Sequence, residues 1–353
     1  MGGYIRVIDF SAYSLGTENI SEADLAALTK ELMHSFTTSG FAYLKNTGIS
    51  EEQVDAMYDV NDRFYDLPAE IKEKYARAND KNRERQGWAC VERESSSCCH
   101  WLYHIDCQAK KFIHSFIHCH TYDIVSISFC LVSLSGLAGV IRPGDLKEYF
   151  GVKIPLTEDE SWPYEVPEFE ETCLNFYAAC KGLTFRILEL IARGLGIEVA
   201  GFLDMFKHMG TGPNGTNLRS LRYPPIPKVV KEDQLRCGEH TDLGCVTLLF
   251  QDRPGLEVST GKDNFVSAPP IPGTVVVNIG DMLQWWTADK LVSTKHRVII
   301  PETAEGQGQG RRSIAFFAHA DSDVQLKCLD GSDKHKPMIV RDYVKMKLHT
   351  TYL

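Results

Sequence analysis

Apolar positions in the first part of the chain recur at helical spacing, and those in the last part crowd into short runs separated by turn residues. Arg6 to Phe10 reads as a short strand. Ser21 is placed to cap a helix that Asp24 opens, with Leu25, Leu28, Leu32 and Phe36 on one face. Gly40 ends that helix, and Phe41 to Leu44 form the next strand. A second helix follows Ser50, with Glu51 and Glu52 in its first turn and Val54, Met57, Tyr58 and Phe64 as its apolar stripe. Pro68 starts a short third helix that ends near Tyr75. A long helix is predicted from about Glu168 to Leu195, with Leu174, Tyr177, Ala178, Phe185, Leu188, Ala192 and Leu195 as a core-facing stripe and Gly196 as its stop.

From Asn217 onward the pattern changes to strands. Val246–Phe250, Gly273–Ile279, Arg297–Ile300 and Ser313–Ala318 are short β-rich runs, punctuated by Pro254-Gly255, Pro272-Gly273 and Gly280-Asp281. Strands at this spacing suggest a sandwich or jelly roll. No internal repeat is visible.

The stretch 95–141 fits neither pattern. It holds five Cys and five His in 47 residues and ends in eighteen residues, Ile124–Ile141, without a charge. Soft ligands are dense enough for zinc, but the spacings match no paired finger motif. A membrane helix needs about 20 apolar residues, and this run is short and carries four Ser and two Gly. We read the stretch as an atypical insertion, of the kind a non-coding gene segment would leave, because Arg93-Glu94 would join sensibly to Arg142-Pro143.

Composition narrows the classes. The chain has 353 residues, 43% of them hydrophobic and 24% charged, which is ordinary globular content and excludes a disordered or collagen-like protein. A net charge of −9 argues against a general nucleic-acid binder, which needs a basic face for phosphates. The N-terminus has no apolar signal core, and Arg6 stands where a myristoylation signal wants Ser or Thr. Eleven cysteines without a signal peptide read as reduced thiols and a cytoplasmic location.

The sharpest chemical signal is Gly238-Glu-His240-Thr-Asp242. In a strand or at its exit alternate residues share a face, so His240 and Asp242 point together. They form two-thirds of a 2-His-1-carboxylate triad, the ligand set of non-haem Fe(II) oxygenases. The third ligand should be a His on another strand, with His296, His319, His335 and His349 as candidates downstream. His296 sits directly before an apolar β run, and the 53 residues between it and Asp242 leave room for several strands. His319 follows a strand that another job explains better, and His335 lies in a charged turn. Arg311-Arg312-Ser313 opens the next strand. Arg311 and Ser313 then share a face that suits a carboxylate, since Arg offers a two-pronged donor and Ser a third bond. Arg312 is the outward partner. Asp281 reads as a turn residue, Trp285 and Trp286 as core or pocket wall, and Cys237 and Cys245 as packing cysteines.

Taken together, His240-x-Asp242, His296 and Arg311-x-Ser313 resemble the signature of the 2-oxoglutarate/Fe(II) dioxygenase superfamily, and more narrowly its isopenicillin N synthase-like branch. Val7–Phe10, Ser39–Phe41, Leu221–Pro225, His240–Gly244, Gly255–Glu257, Asn278–Asp281 and Lys295–Val298 support the likeness. It covers about 4–94 and 142–353 and breaks at 95–141.

The resemblance implies an α+β, mainly β fold: a double-stranded β-helix (jelly roll) core with an N-terminal α/β region and a long packing helix. It implies an N-terminal region at 4–94, the insertion at 95–141, a helical linker region at 142–215, a catalytic core at 216–325 and a tail at 326–353. Fe(II) would be held by His240, Asp242 and His296. 2-Oxoglutarate would chelate it, with Arg311, Ser313 and Tyr223 at the far carboxylate. Many relatives carry Asn where Leu221 stands, so an amide contact there is not expected. The implied reaction uses O2 to oxidise a small organic substrate, by hydroxylation or desaturation, and releases succinate and CO2. The rival readings are an oxidase that needs no 2-oxoglutarate and a binding protein on the same fold. No nucleic-acid or membrane partner is expected, and the chain is expected to be a monomer.

Overall fold

The computed structural model of the chain describes residues 4–76, 86–92, 143–156, 161–262 and 264–351. The insertion, zinc and membrane readings of 95–141 fall outside the described residues. Among the described residues, no helix is long and apolar enough to cross a membrane.

Two sheets build the centre. Their strands are β1 (Arg6–Asp9), β2 (Phe41–Lys45), β3 (Gly87–Ala89), β4 (Glu148–Lys153), β5 (Asn217–Tyr223), β6 (Cys237–His240), β7 (Val246–Gln251), β8 (Leu256–Gly261), β9 (Asn264–Ser267), β10 (Thr274–Ile279), β11 (His296–Val298) and β12 (Arg311–Ala318). The larger sheet runs β1-β2-β10-β7-β12-β5-β4-β3 and the smaller β6-β11-β8-β9. Among these described strands, β1 and β2 pair in parallel and the other strand pairs are antiparallel.

Alternation along these strands sorts residues into two cores. Val246, Leu248 and Phe250 of β7, with Ile314 and Phe316 of β12, face the helices. Phe250 packs edge-on against Phe176 at 5.1 Å, and Phe316 against Tyr177 at 5.0 Å. Between the sheets lies a second apolar cluster that includes Tyr43, Leu221, Tyr223, Val258, Val276, Val298 and Ala315. Thr247, Leu249 and Gln251 alternate toward that inner side.

The N-terminal helices form as expected. The Glu22–Thr38 helix is capped by the Ser21 side chain, and the Glu51–Tyr65 helix by a Ser50/Gln53 capping box. The long helix spans Phe169–Leu195 and ends at Gly196 in the left-handed conformation, φ 72°. Its buried face differs from the expected stripe. Leu174 is 36% exposed and Ala178 is exposed, while Phe185 and Leu195 are half-buried. The buried line runs through Cys173, Phe176, Tyr177, Cys180, Leu183, Ile187, Leu188 and Ile191. Two cysteines carry it: Cys173, next to the more obvious Leu174, and Cys180, between Ala179 and Lys181. The expected Arg297–Ile300 strand begins earlier, at His296, and stops at Val298. Ile299 leaves the ladder to bond Gly255 O at 2.9 Å, and Pro301 brings no donor to extend it.

Candidate functional site

β6 and β11 lie antiparallel with His240 directly opposite His296. Asp242 stands two residues past the end of β6, where the chain turns toward β7. This turn packs tightly: Asp281 N donates to Asp242 O at 2.7 Å, and a Cβ on Gly280 would meet Gly244 O at 2.3 Å. Only glycine lets the two turns approach so closely. The ligand atoms of His240, Asp242 and His296 all lie within 4.8 Å of one another. Asp242 Oδ1 is 3.8 Å from His240 Nε2 and 3.7 Å from His296 Nε2.

Each group is oriented from behind. His240 Nδ1 bonds Gly238 O at 2.8 Å, and His296 Nδ1 bonds Thr294 O at 3.1 Å. Donation to these carbonyls puts the proton on Nδ1 and leaves each Nε2 lone pair for a metal. Asp242 Oδ2 accepts from Thr247 Oγ1 and from Asn278 Nδ2, both at 2.7 Å, so Oδ1 faces the imidazoles. The Phe41 ring stands edge-on to His296 at 5.5 Å. The His240 side chain is 28% exposed, against 9% for His296 and 5% for Asp242, so the trio opens to solvent at His240.

The electrostatics of the trio favour a cation. Burial works to raise Asp242, but the two imidazoles and the Asn278 and Thr247 hydrogen bonds hold it below the usual carboxylate range. Burial and the His240 charge push His296 down to about 4. Burial opposes the charged form of His240, yet Cys237 and Asp242 together push it up to about 9.

β12 builds the second half of the site. Arg311 pairs with Tyr223 of β5, and Ser313 with Leu221 of β5 and Gln251 of β7. Arg311 is 1% exposed. Its Nε donates to Arg253 O at 3.1 Å and its Nη2 to Gln251 Oε1 at 2.8 Å, and the guanidinium lies 4.8 Å from the Tyr223 ring centre. Arg311 Nη1 and Ser313 Oγ are buried with no hydrogen-bond partner. Such donors are costly to leave unmade, and a carboxylate would satisfy both. The residues present therefore fit the far end of a 2-oxo dicarboxylate. Arg312 turns outward, as expected, to Asp252 and Asp62 at 2.9 and 2.8 Å.

Of the residues expected at the site, the structure brings His240, Asp242 and His296 together, and sets Arg311 beside Tyr223 with Ser313 two residues on along β12. His319 is buried away from the trio, with its backbone held by Thr216 and Asn214. His335 stacks on Trp285 at 4.3 Å and bonds Asp289. Asp281 opens the Asp281–Trp286 helix and accepts from Ser293 and Lys347. Trp286 is core, and burial pushes the Cys245 thiol up to about 12. Cys237 packs in the inner apolar cluster as expected, and its Sγ also lies 3.2 Å from Lys147 Nζ and 4.0 Å from His240 Nδ1. Thr247, Asn278, Gln251 and Arg236 were not picked out as site residues. The only sequence signal for Thr247 and Gln251 is that they are polar and four apart, hence on one face of an otherwise apolar strand.

Comparison with known proteins gives the family. Residues 215–320 match the 2OG-Fe(II) oxygenase superfamily model, and 5–123 match the model described as non-haem dioxygenase in morphine synthesis N-terminal, which runs into the 95–141 stretch. The 2-oxoglutarate-dependent dioxygenase ecdK of Aspergillus rugulosus is 30% identical over 99% of this chain and 99% of that protein. The 2-oxoglutarate-dependent dioxygenase htyE of the same organism is 28% identical over 99% of both. A Neurospora crassa protein crystallised with alpha-KG and thymine superposes with a TM-score of 0.74 at 29% identity, covering 99% of this chain and 97% of that one. The chain belongs to the 2-oxoglutarate/Fe(II) oxygenase superfamily and is a 2-oxoglutarate-dependent dioxygenase, an oxidoreductase working with iron and O2.

Proposed function

We propose that His240 Nε2, His296 Nε2 and Asp242 Oδ1 hold Fe(II), and that Arg311, Ser313 and Tyr223 hold the far carboxylate of 2-oxoglutarate. The two facing sheets are then the double-stranded β-helix of this reading, with 216–325 as the catalytic core and 4–94 as the N-terminal region. We propose further that the chain acts as a cytoplasmic monomer on a small organic substrate. None of the six described cysteines is disulfide-bonded, which supports the compartment.

The observation that carries the site assignment is the pairing of two buried, unpartnered donors, Arg311 Nη1 and Ser313 Oγ, with a ligand trio whose free atoms converge. When bound, iron and 2-oxoglutarate supply, with O2, an oxidative decarboxylation that yields succinate and CO2 and the oxidising power to break a substrate C–H bond. The protein's part is positioning. Gly238 O and Thr294 O fix the two imidazole tautomers, and Thr247 and Asn278 aim one carboxylate oxygen. Gln251 and Arg253 O set the plane of the Arg311 guanidinium. Leu249, Val276, Val258 and Val298 line the space between the sheets with apolar surface that excludes water. Hydroxylation and desaturation both begin with hydrogen abstraction, so the same site serves either outcome.

Anaerobic titration with Fe(II) and then 2-oxoglutarate tests the reading. It should give a weak visible charge-transfer band in the wild type and none in Asp242→Ala. Iron binding with no response to 2-oxoglutarate would instead favour an oxidase that draws all its electrons from the substrate.

A further inference from the structure

A second arginine stands one residue before β6. Arg236 is 1% exposed, as Arg311 is. Its Nη2 donates to Gln309 O at 2.8 Å, and its Nε is buried without a partner. Gln309 ties the two arginines together. Its side chain accepts from Arg253 Nη1, and Arg253 O accepts from Arg311 Nε at 3.1 Å.

Charge balance makes this end of the site unusual. Arg193, Arg222, Arg297 and Arg312 each lie within 3.2 Å of a carboxylate. Arg236 and Arg311 have no ion pair with any described residue, although both are fully buried. Asp252 acts on Arg236 only at longer range, being paired with Arg312 at 2.9 Å. Burial, and the Arg311 charge after it, pull Arg236 below the ordinary arginine value, so the two guanidiniums repel each other. Two buried cations with unmade hydrogen bonds call for an anion that both can reach.

We propose that Arg236 is a second cation of the co-substrate cradle, donating through Nε to the far carboxylate that Arg311 and Ser313 also bind, and that it makes the site select 2-oxo acids carrying a second carboxylate. A carboxylate offers about four lone-pair positions on its two oxygens. Arg311 Nη1, Ser313 Oγ and Arg236 Nε, the three unpartnered donors, would fill three of them. Arg236 is a binding and positioning residue here, remote from the reacting atoms. The inference rests on the cradle assigned above.

The test is equilibrium binding by calorimetry to the full-length protein loaded with Mn(II), a redox-quiet stand-in for Fe(II). The ligands are 2-oxoglutarate and 2-oxopentanoate, which lacks the second carboxylate. Arg236→Gln should bind 2-oxoglutarate at least tenfold more weakly, with 2-oxopentanoate and Mn(II) affinities within twofold of wild type. Arg236→Lys keeps the charge, loses the Nε fork and should fall between. It carries the test if the Gln variant does not fold. Unchanged 2-oxoglutarate affinity in either folded variant overturns the inference, as does an equal loss for both acids, which would mark a structural role. Arg311→Lys separates the two readings. If it weakens 2-oxoglutarate while Arg236 variants do not, the cradle stands and Arg236 has no part in it. If the wild type binds no 2-oxoglutarate, the cradle falls and the inference with it.

Discussion

Thr247→Val isolates one hydrogen bond behind the proposed metal ligand Asp242. The two side chains have nearly the same shape and both suit a strand, so the change replaces one hydroxyl with a methyl. Thr247 is buried on the inner side of β7, and its Oγ1 donates to Asp242 Oδ2 at 2.7 Å. Asp242 is 5% exposed, so water cannot replace the lost donor. A hydrogen bond to a charged group is worth about 1.5–3 kcal/mol. Part of that is lost from the metal-free protein as well, so the effect on binding is the smaller difference. Loss of a partner that orients a metal ligand typically lowers metal affinity roughly 10–100-fold. We expect Mn(II) or anaerobic Fe(II) binding, followed by calorimetry, to weaken about tenfold in Thr247→Val. Asn278→Leu should weaken it at least as much. The two donors serve one oxygen, so the double variant should depart from additivity by about 0.5–3 kcal/mol. Native circular dichroism with metal affinity within twofold of wild type in both single variants would refute the claim that these residues aim Asp242 Oδ1.

Three further outcomes are expected. His240→Ala, Asp242→Ala and His296→Ala should each abolish stoichiometric Fe(II) binding with secondary structure intact, and full iron occupancy in His296→Ala would remove it from the ligand set. Arg311→Ala should weaken 2-oxoglutarate by about 1.5–3 kcal/mol or more, with Ser313→Ala costing less; an unchanged apparent affinity in Arg311→Ala places the carboxylate elsewhere. Gly280→Ala should lower stability by about 1–3 kcal/mol, since its Cβ would lie 2.3 Å from Gly244 O, and an unshifted thermal midpoint would show that the two turns can part without cost.

What the sequence revealed about this site depended on local spacing. His240 and Asp242 sit two apart at a strand exit, and Arg311 and Ser313 sit two apart at a strand start. In both cases backbone geometry alone turns the side chains the same way. His296, which the structure groups with His240 and Asp242, stands out in the sequence because it alone of the downstream histidines opens an apolar β run. Residues that act across long sequence distances gave no such signal. Asn278 reaches Asp242 over 36 positions and Arg311 reaches Gln251 over 60. Arg236 looks like any surface arginine until its burial is known. The fold shows the same divide. The cap at Ser21, the helix start after Ser50 and the stop at Gly196 are local chemistry, and they were legible. β4 was not, because Glu148-Tyr-Phe-Gly-Val-Lys153 has charged ends and a central glycine, and its strand character comes from pairing with β5.

β7 joins the two halves of the site. Thr247 on its inner side holds Asp242, and Gln251 four residues later holds Arg311. At about 3.3 Å per residue the strand separates these supports by roughly 13 Å. Both ends of β7 are fixed by neighbours: Ile279 of β10 pairs with Val246, and Ser313 of β12 pairs with Gln251. A slip of one residue would turn Thr247 and Gln251 outward together. The same hydrogen-bond ladder that makes the sheet therefore sets the distance between Asp242 and Arg311. In the proposed site, a co-substrate chelating a metal at one end and meeting a guanidinium at the other would be measured by the strand. Leu249, the inward residue between the two supports, makes that interval apolar. Polar recognition is thus confined to the two ends of the molecule that carry charge.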